Sequence, residues 1–168
     1  MITVVGARGT IKDVDSFLQK MNSFSQDNNV VIQAFNANVI YGQNHLISAV
    51  DHAIRAMERK TNTTNSLAME ILLYAAGERQ LKLAIPKMGV KKGAANIAFV
   101  VVDDKKRDEK SIDELLKELS LKRDDNVLEG NEDTLKSFGL NDQAIKTVTK
   151  DKYGDLILEK IAMVDIIK

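Results

Sequence analysis

The sequence has no cysteine, no tryptophan, one proline and two histidines in 168 residues, and aromatics make up 5%. Without cysteine there are no disulfides, no thiolate metal ligands and no cysteine nucleophile. His45 and His52 alone do not make a zinc site. No stretch reaches the ~20 consecutive apolar residues that span a bilayer. The opening "MITVVGARGT" has neither the basic start nor the apolar run of a secretory signal. A cytoplasmic protein with no membrane partner is therefore expected. Formal net charge is zero, so no global field draws in a polyanion. What is present is ordinary: hydrophobic residues are 44% and charged residues 29%. The core must come from Ile, Leu, Val, Ala and Met. The length suits one domain that buries a core unaided.

The elements follow from periodicity. "ITVV" (Ile2 to Val5) reads as a strand ended by Gly6. Val14, Phe17, Leu18, Met21 and Phe24 recur at helical spacing behind an Asp13 N-cap. "NNVVIQAFNANVI" reads as one strand or two short ones. A helix from His45 to Lys60 ends in a basic turn that suits the helix dipole. In "TNTTNSLAMEILLYAAGERQ", Leu67 to Ala76 is apolar but for Glu70, so it reads as a helix buried on all sides. Asn65 or Ser66 caps its start, and Gly77 stops it. "ERQLKLAIPKMGV" fits a helix or a strand, with Pro86 disfavouring helix at Ile85. "NIAFVVVDD" reads as a strand buried on both faces.

Lys105 to Lys110 reads as a charged loop, with a weak sub-boundary near 103–110. Ser111 and Glu114 form a capping box that opens a helix through Leu119. A short helix runs from Asn131 to a Gly139 C-cap, and Asn141 caps another. "YGDLILEKIAMVDIIK" reads as a C-terminal helix. The expected fold is α+β: one domain, a small mixed β-sheet packed against several α-helices, with a helical C-terminal region.

The catalytic inventory is thin, and neither a catalytic residue, a metal site nor a cofactor is expected. "GARG" (Gly6 to Gly9) follows a strand like a phosphate loop. It lacks the Gly-Lys-Ser/Thr ending and the third glycine of the dinucleotide fingerprint. His45 lies at a helix N-terminus, where a positive imidazole is disfavoured, so a neutral structural histidine is expected. Asp103, Asp104, Asp108, Glu109, Asp113 and Glu114 read as solvated. The charge is uneven, however. Residues 52–92 hold eight bases against three acids, whereas residues 101–168 hold 13 against 17. Within the basic segment, Arg55, Arg59 and Lys60 lead into "TNTTNS", and Arg79, Gln80 and Lys82 follow the buried helix. Cations beside amides and hydroxyls at a helix end suit a single-stranded RNA end. Two other readings stay open on these residues: a nucleotide-binding domain using the Gly6–Gly9 turn, and a purely structural adaptor.

The blocks "GQNHLISAVDHA" (Gly42 to Ala53) and "NSLAMEILLYAAGERQ" (Asn65 to Gln80), with the closing "DLILEKIAMVDIIK", resemble the small regulatory subunit of the KEOPS complex. This is the PRPK-binding (TPRKB-type) family, here in an archaeal-type form. The resemblance covers nearly the whole chain; Pro86 departs from the pattern and implies an irregular helix after Gly77. It implies a non-catalytic subunit that binds and stimulates the complex's atypical kinase/ATPase subunit. It also implies recruitment of tRNA through the 3′ CCA end, for threonylcarbamoylation of the adenosine beside the anticodon. The ATP and transferase chemistry would belong to sister subunits. Carried onto this sequence, the expected tRNA site is Arg55, Arg59, Lys60, Asn65, Ser66, Arg79, Gln80 and Lys82. The expected partner-binding residues are Leu156, Ile157, Ile161 and Val164 on the C-terminal helix.

Overall fold

The computed structural model describes residues 1–104 and 110–168. Most of the loop expected over Lys105 to Lys110, with Asp108 and Glu109, therefore lies outside the described residues. The chain folds as an α+β domain. Its elements are β1 (Ile2–Ile11), α1 (Val14–Asn28), β2 (Val31–Asn36), α2 (Gly42–Arg59), α3 (Leu67–Ala76), α4 (Leu81–Met88), β3 (Gly93–Val102), α5 (Lys110–Glu118), β4 (Lys122–Arg123), α6 (Glu132–Phe138), α7 (Asp142–Ile145) and α8 (Tyr153–Ile167). The four strands lie in the order β2-β3-β1-β4, and every pairing is antiparallel rather than mixed. Among the described residues no helix is long and apolar enough to cross a membrane.

β3 shows how the layers form. It is apolar at consecutive positions because both of its faces are covered. Ile97, Phe99 and Val101 pack with Phe17, Met21 and Phe24 of α1 and with Ile112, Leu115 and Leu116 of α5. Ala98 and Val100 face the other way, into a larger core with α2, α3, α4, α6 and α8. The sheet therefore sits between two layers of helices. α3 lies in the thicker layer, and Ile71 to Ala76 are almost wholly buried, as its all-round apolar pattern requires.

Several local signals hold. Asp13 accepts from the N–H groups of Asp15 and Ser16 and opens α1. Ser66 accepts from Met69 and opens α3; Gly77, at φ 66°, closes it in the left-handed region that glycine enters freely. Pro86 does not prevent α4. It is the sixth of eight residues, so it forfeits one bond to the Lys82 carbonyl. Lys82 and Pro86 are both exposed, so water can satisfy that carbonyl.

The main correction concerns Gly6 to Gly9. There is no turn there, because β1 continues through both glycines to Ile11, paired with β3 along its whole length. The glycines serve another need. A Cβ on Gly6 would lie 2.6 Å from the Asp124 carbonyl oxygen and 2.7 Å from Val127 Cγ2; one on Gly9 would lie 2.7 Å from Leu121 Cδ2. They let the segment through β4 cross close to the sheet, where Asp124 N–H donates to the Gly6 carbonyl and Gly6 N–H donates to Asp125 Oδ1. With the turn gone, the nucleotide-loop reading loses its structural basis. Gly6→Ala is expected to cost about 1–3 kcal/mol through overpacking against backbone. It should appear as a lower urea midpoint with an unchanged slope.

Candidate functional site

The polar segment between α2 and α3 is a defined loop. α2 closes with Lys60 in the left-handed region at φ 60°, and Thr61 N–H donates to the Ala56 carbonyl at 2.9 Å. Asn62 Nδ2 donates to the Thr64 carbonyl at 2.7 Å, and Thr64 Oγ1 donates to the Ser66 carbonyl at 3.0 Å. The decisive contact comes from below. Glu70, the one charge in the α3 apolar run, is 0% exposed. Its Oε1 accepts from the N–H groups of both Thr63 and Thr64 at 2.9 Å. Its Oε2 lies 2.6 Å from Lys168 Nζ, which also donates to the Thr61 carbonyl at 3.1 Å. Both carboxylate oxygens are thus engaged, which lets a charge remain in a core.

A second polar chain runs alongside. The Tyr74 hydroxyl donates to Asp165 Oδ1, and His52 Nδ1 donates to Asp165 Oδ2 at 2.8 Å. The His52 and Tyr74 rings stack at 5.5 Å, and Lys168 Nζ lies 4.6 Å from the centre of the Tyr74 ring. Burial, followed by the hydrogen bond and charge of Asp165, pushes the Tyr74 hydroxyl well above its ordinary pKa. Burial opposes charge on Asp165, but the bonds from Tyr74 and His52 and the charges of His52 and Lys168 outweigh it. Its carboxyl is held below the usual range. α2, α3, the end of α8 and the Thr61–Ser66 loop are therefore tied by one set of polar contacts.

The sequence family described as kinase binding protein CGI-121 matches residues 10–165. The regulatory protein Cgi121 of Methanocaldococcus jannaschii is 31% identical over 140 residues, covering 81% of this chain and 84% of that protein. This chain belongs to the CGI-121 family.

All eight residues expected to contact tRNA are exposed, but they form two groups. Arg55, Arg59, Lys60, Asn65 and Ser66 flank the α2–α3 loop. Arg79, Gln80 and Lys82 lie past the opposite end of α3, which at ten residues is ~15 Å long. Lys87, also in the basic segment, turns inward. Its Nζ donates to the Ala76 carbonyl at 2.7 Å, lies 3.5 Å from Glu78 and sits 3.8 Å from the centre of the Phe138 ring. Burial lowers its pKa, partly offset by Glu78. The expected partner face needs a correction. Ile157, Ile161 and Val164 are buried in the core of this chain, and Leu156 is half-buried. Their side chains are spent on α2 and α3. The outward apolar residues of α8 are Met163, Ile166 and Ile167, with Ile166 74% exposed.

Sequence reasoning missed the residues that position the loop: His52, Glu70, Tyr74, Asp165 and Lys168. Glu70 carried a signal, since a lone carboxylate in an all-round apolar helix must find buried partners. Nothing local marks Asp165 or Lys168, whose partners are 91 to 113 residues away. His45 is the neutral structural residue expected. It is buried; its Nδ1 accepts from the Tyr41 N–H at 2.9 Å, and its Nε2 donates to the Ala75 carbonyl at 2.8 Å.

Two outcomes are expected. Glu70→Ala should destabilise the fold by about 3 kcal/mol, since it strips two N–H groups and a lysine of their partner. In hydrogen exchange the Thr63 and Thr64 amides should lose protection before the strands do. Burial lowers the His45 pKa from 6.5 to about 4, against the partial offset of the Ala75 bond. As pH falls, the unfolded chain takes that proton first, so this contribution is intact above about 6.5 and lost toward 4. The shift corresponds to about 3 kcal/mol. Urea titrations across that window should show the slope in the native protein and a flatter one in His45→Gln.

Proposed function

We propose that this protein is a non-catalytic regulatory subunit that binds a kinase/ATPase partner and, within a KEOPS-type complex, captures the 3′ CCA end of tRNA. Family membership supports the kinase half, since the family is described as kinase binding and its Methanocaldococcus jannaschii member as regulatory. The observation that carries the RNA half is the α2–α3 loop. It offers exposed amides and hydroxyls between cations, on backbone fixed by a buried carboxylate. Such a surface needs little ordering when a flexible RNA end docks. Lys60 strengthens the reading. It holds a left-handed conformation that costs a lysine roughly 1 kcal/mol and that glycine adopts freely, so a cation is kept there at a conformational cost. Of the two groups of expected tRNA residues, the loop group is assigned the CCA end; Arg79, Gln80 and Lys82 are assigned an outer contact with the phosphate backbone.

The kinase contact is assigned to the outward stripe of α8. Met163, Ile166 and Ile167 recur at i, i+3 and i+4, which places them on one helix face. The same helix delivers Asp165 and Lys168 to the polar network, so the two surfaces share one rigid element. The adenosine modification itself is assigned to partner subunits.

Binding titrations separate these assignments. Intact tRNA should bind at least tenfold more tightly than tRNA trimmed of its CCA end; equal affinities would defeat the RNA-end reading. Arg59→Glu should remove most of that difference and leave kinase binding unchanged. Arg79→Glu should weaken intact and trimmed tRNA alike. Ile166→Asp should weaken binding of the kinase/ATPase subunit tenfold or more and leave tRNA affinity intact.

A further inference from the structure

The larger helical layer does not cover the whole sheet. Where β1 and β3 pair beyond Gly6 and Ala98, the face that carries the buried Ala98 and Val100 runs out into solvent. The next residues of that face are Arg8 paired with Asn96, then Thr10 paired with Ala94, and all four are exposed. β4 extends the first row, because Lys122 pairs with Arg8. Lys122, Arg8 and Asn96 thus stand side by side across three strands.

This row is costly by itself. Like charges directly opposite on neighbouring strands are destabilising. Asp124 offsets part of the repulsion, 3.6 Å from Arg8. Lys122 has no carboxylate partner among the described residues. The row floors a cleft of about 610 Å³, which shares Asn38, Ala94, Ala95 and Asn96 with a second, of about 260 Å³, at the β3 edge left open past Asn36. Lys91 and Lys92 wall the second cleft, also without carboxylate partners among the described residues. Four cations therefore meet one acid here. Thr10 and Ala94, short side chains on the same face, keep the floor low, so a ligand can come close to the strands.

We infer that this uncovered end of the sheet, from Lys122 across Arg8 and Asn96 and around the β3 edge to Lys92, is a second binding surface that takes the phosphate backbone of RNA, separate from the α2–α3 loop. It rests on the RNA-binding reading above. The chemistry favours RNA over other polyanions. A surface that sits on a membrane adds exposed apolar side chains to its cations, and none of the large exposed hydrophobic residues lines either cleft. Asn36, Asn38 and Asn96 pair donors with acceptors, which suits base edges and 2′-hydroxyls. No aromatic ring lines either cleft, so affinity should come from phosphate contacts and depend steeply on salt.

The test uses CCA-trimmed tRNA, so the loop site contributes little, and follows fluorescence anisotropy over a salt series. The expected result is residual binding at low salt that Lys92→Glu/Lys122→Glu weakens at least tenfold. The slope of log affinity against log salt should fall by about 1.5–2, two phosphate contacts' worth. Lys92→Gln/Lys122→Gln, which adds no repulsion, should give the same loss of slope with a smaller loss of affinity. Arg59→Glu should leave this residual binding largely intact. No binding of trimmed tRNA, or unchanged affinity and slope in both double variants, overturns the inference. Either result leaves the separate comparison of intact with trimmed tRNA to decide the CCA reading. A poly-glutamate peptide of equal charge that displaces the RNA as well as unlabelled RNA does would overturn the assignment to nucleic acid.

Discussion

A carboxylate placed inside a packed helical layer costs several kcal/mol unless every oxygen is met. Glu70 meets that condition only by reaching out of its helix, to two loop N–H groups on one oxygen and to Lys168 on the other. The requirement runs in both directions. The carboxylate needs the loop to fold over it, and the loop, made of small polar residues, has little apolar surface to hold it in place. The shape of "TNTTNS" is therefore set by the core beneath it. A loop bound in this way can present amides, hydroxyls and cations in fixed positions, which a solvated linker of the same composition could not.

The same bond sets the role of α8. Its inward residues Ile157, Ile161 and Val164 seat it on α2 and α3, and Asp165 and Lys168 then complete the network. A helix docked only by aliphatic packing tolerates small slips. One that must also deliver a carboxylate to Tyr74 and His52, and an ammonium to Glu70, has a single register. Its outward stripe is thereby fixed relative to the α2–α3 loop. A protein bound on that stripe would meet the loop at a constant distance and angle, the geometry that the proposed adaptor between a tRNA and a kinase/ATPase would require.

Much of the fold was legible because most elements announce themselves locally. The Asp13 and Ser66 caps, the Gly77 and Gly139 stops and the unbroken run into Val102 each rest on chemistry within a few residues. The misreadings share another cause. Gly6 and Gly9 suggested a turn because local rules allow glycine only local reasons, whereas the real reason is a chain segment more than a hundred residues later pressing on the strand. Ile157, Ile161 and Val164 looked available to a partner because α8 is apolar on more than one side, and only packing shows which side is spent. The basic segment was legible as composition but not as a site. α3 separates its two halves, and Lys87 is drawn inward by Ala76 and Phe138.

Net charge of zero is compatible with this arrangement once the distances over which charge acts are considered. At physiological salt, interactions between exposed charges fade over about 8 Å. A polyanion at the α2–α3 loop therefore responds to Arg55, Arg59 and Lys60, not to acids elsewhere on the surface. Some acids of the last third are also already committed: Asp125 to Arg123 and the Gly6 N–H, Asp165 to Tyr74 and His52. They hold the structure together and oppose the basic surfaces only weakly. On the proposed reading, neutrality overall has a use: it would limit non-specific attraction to nucleic acid at long range, so that binding would depend on a ligand whose phosphates and bases fit the fixed loop.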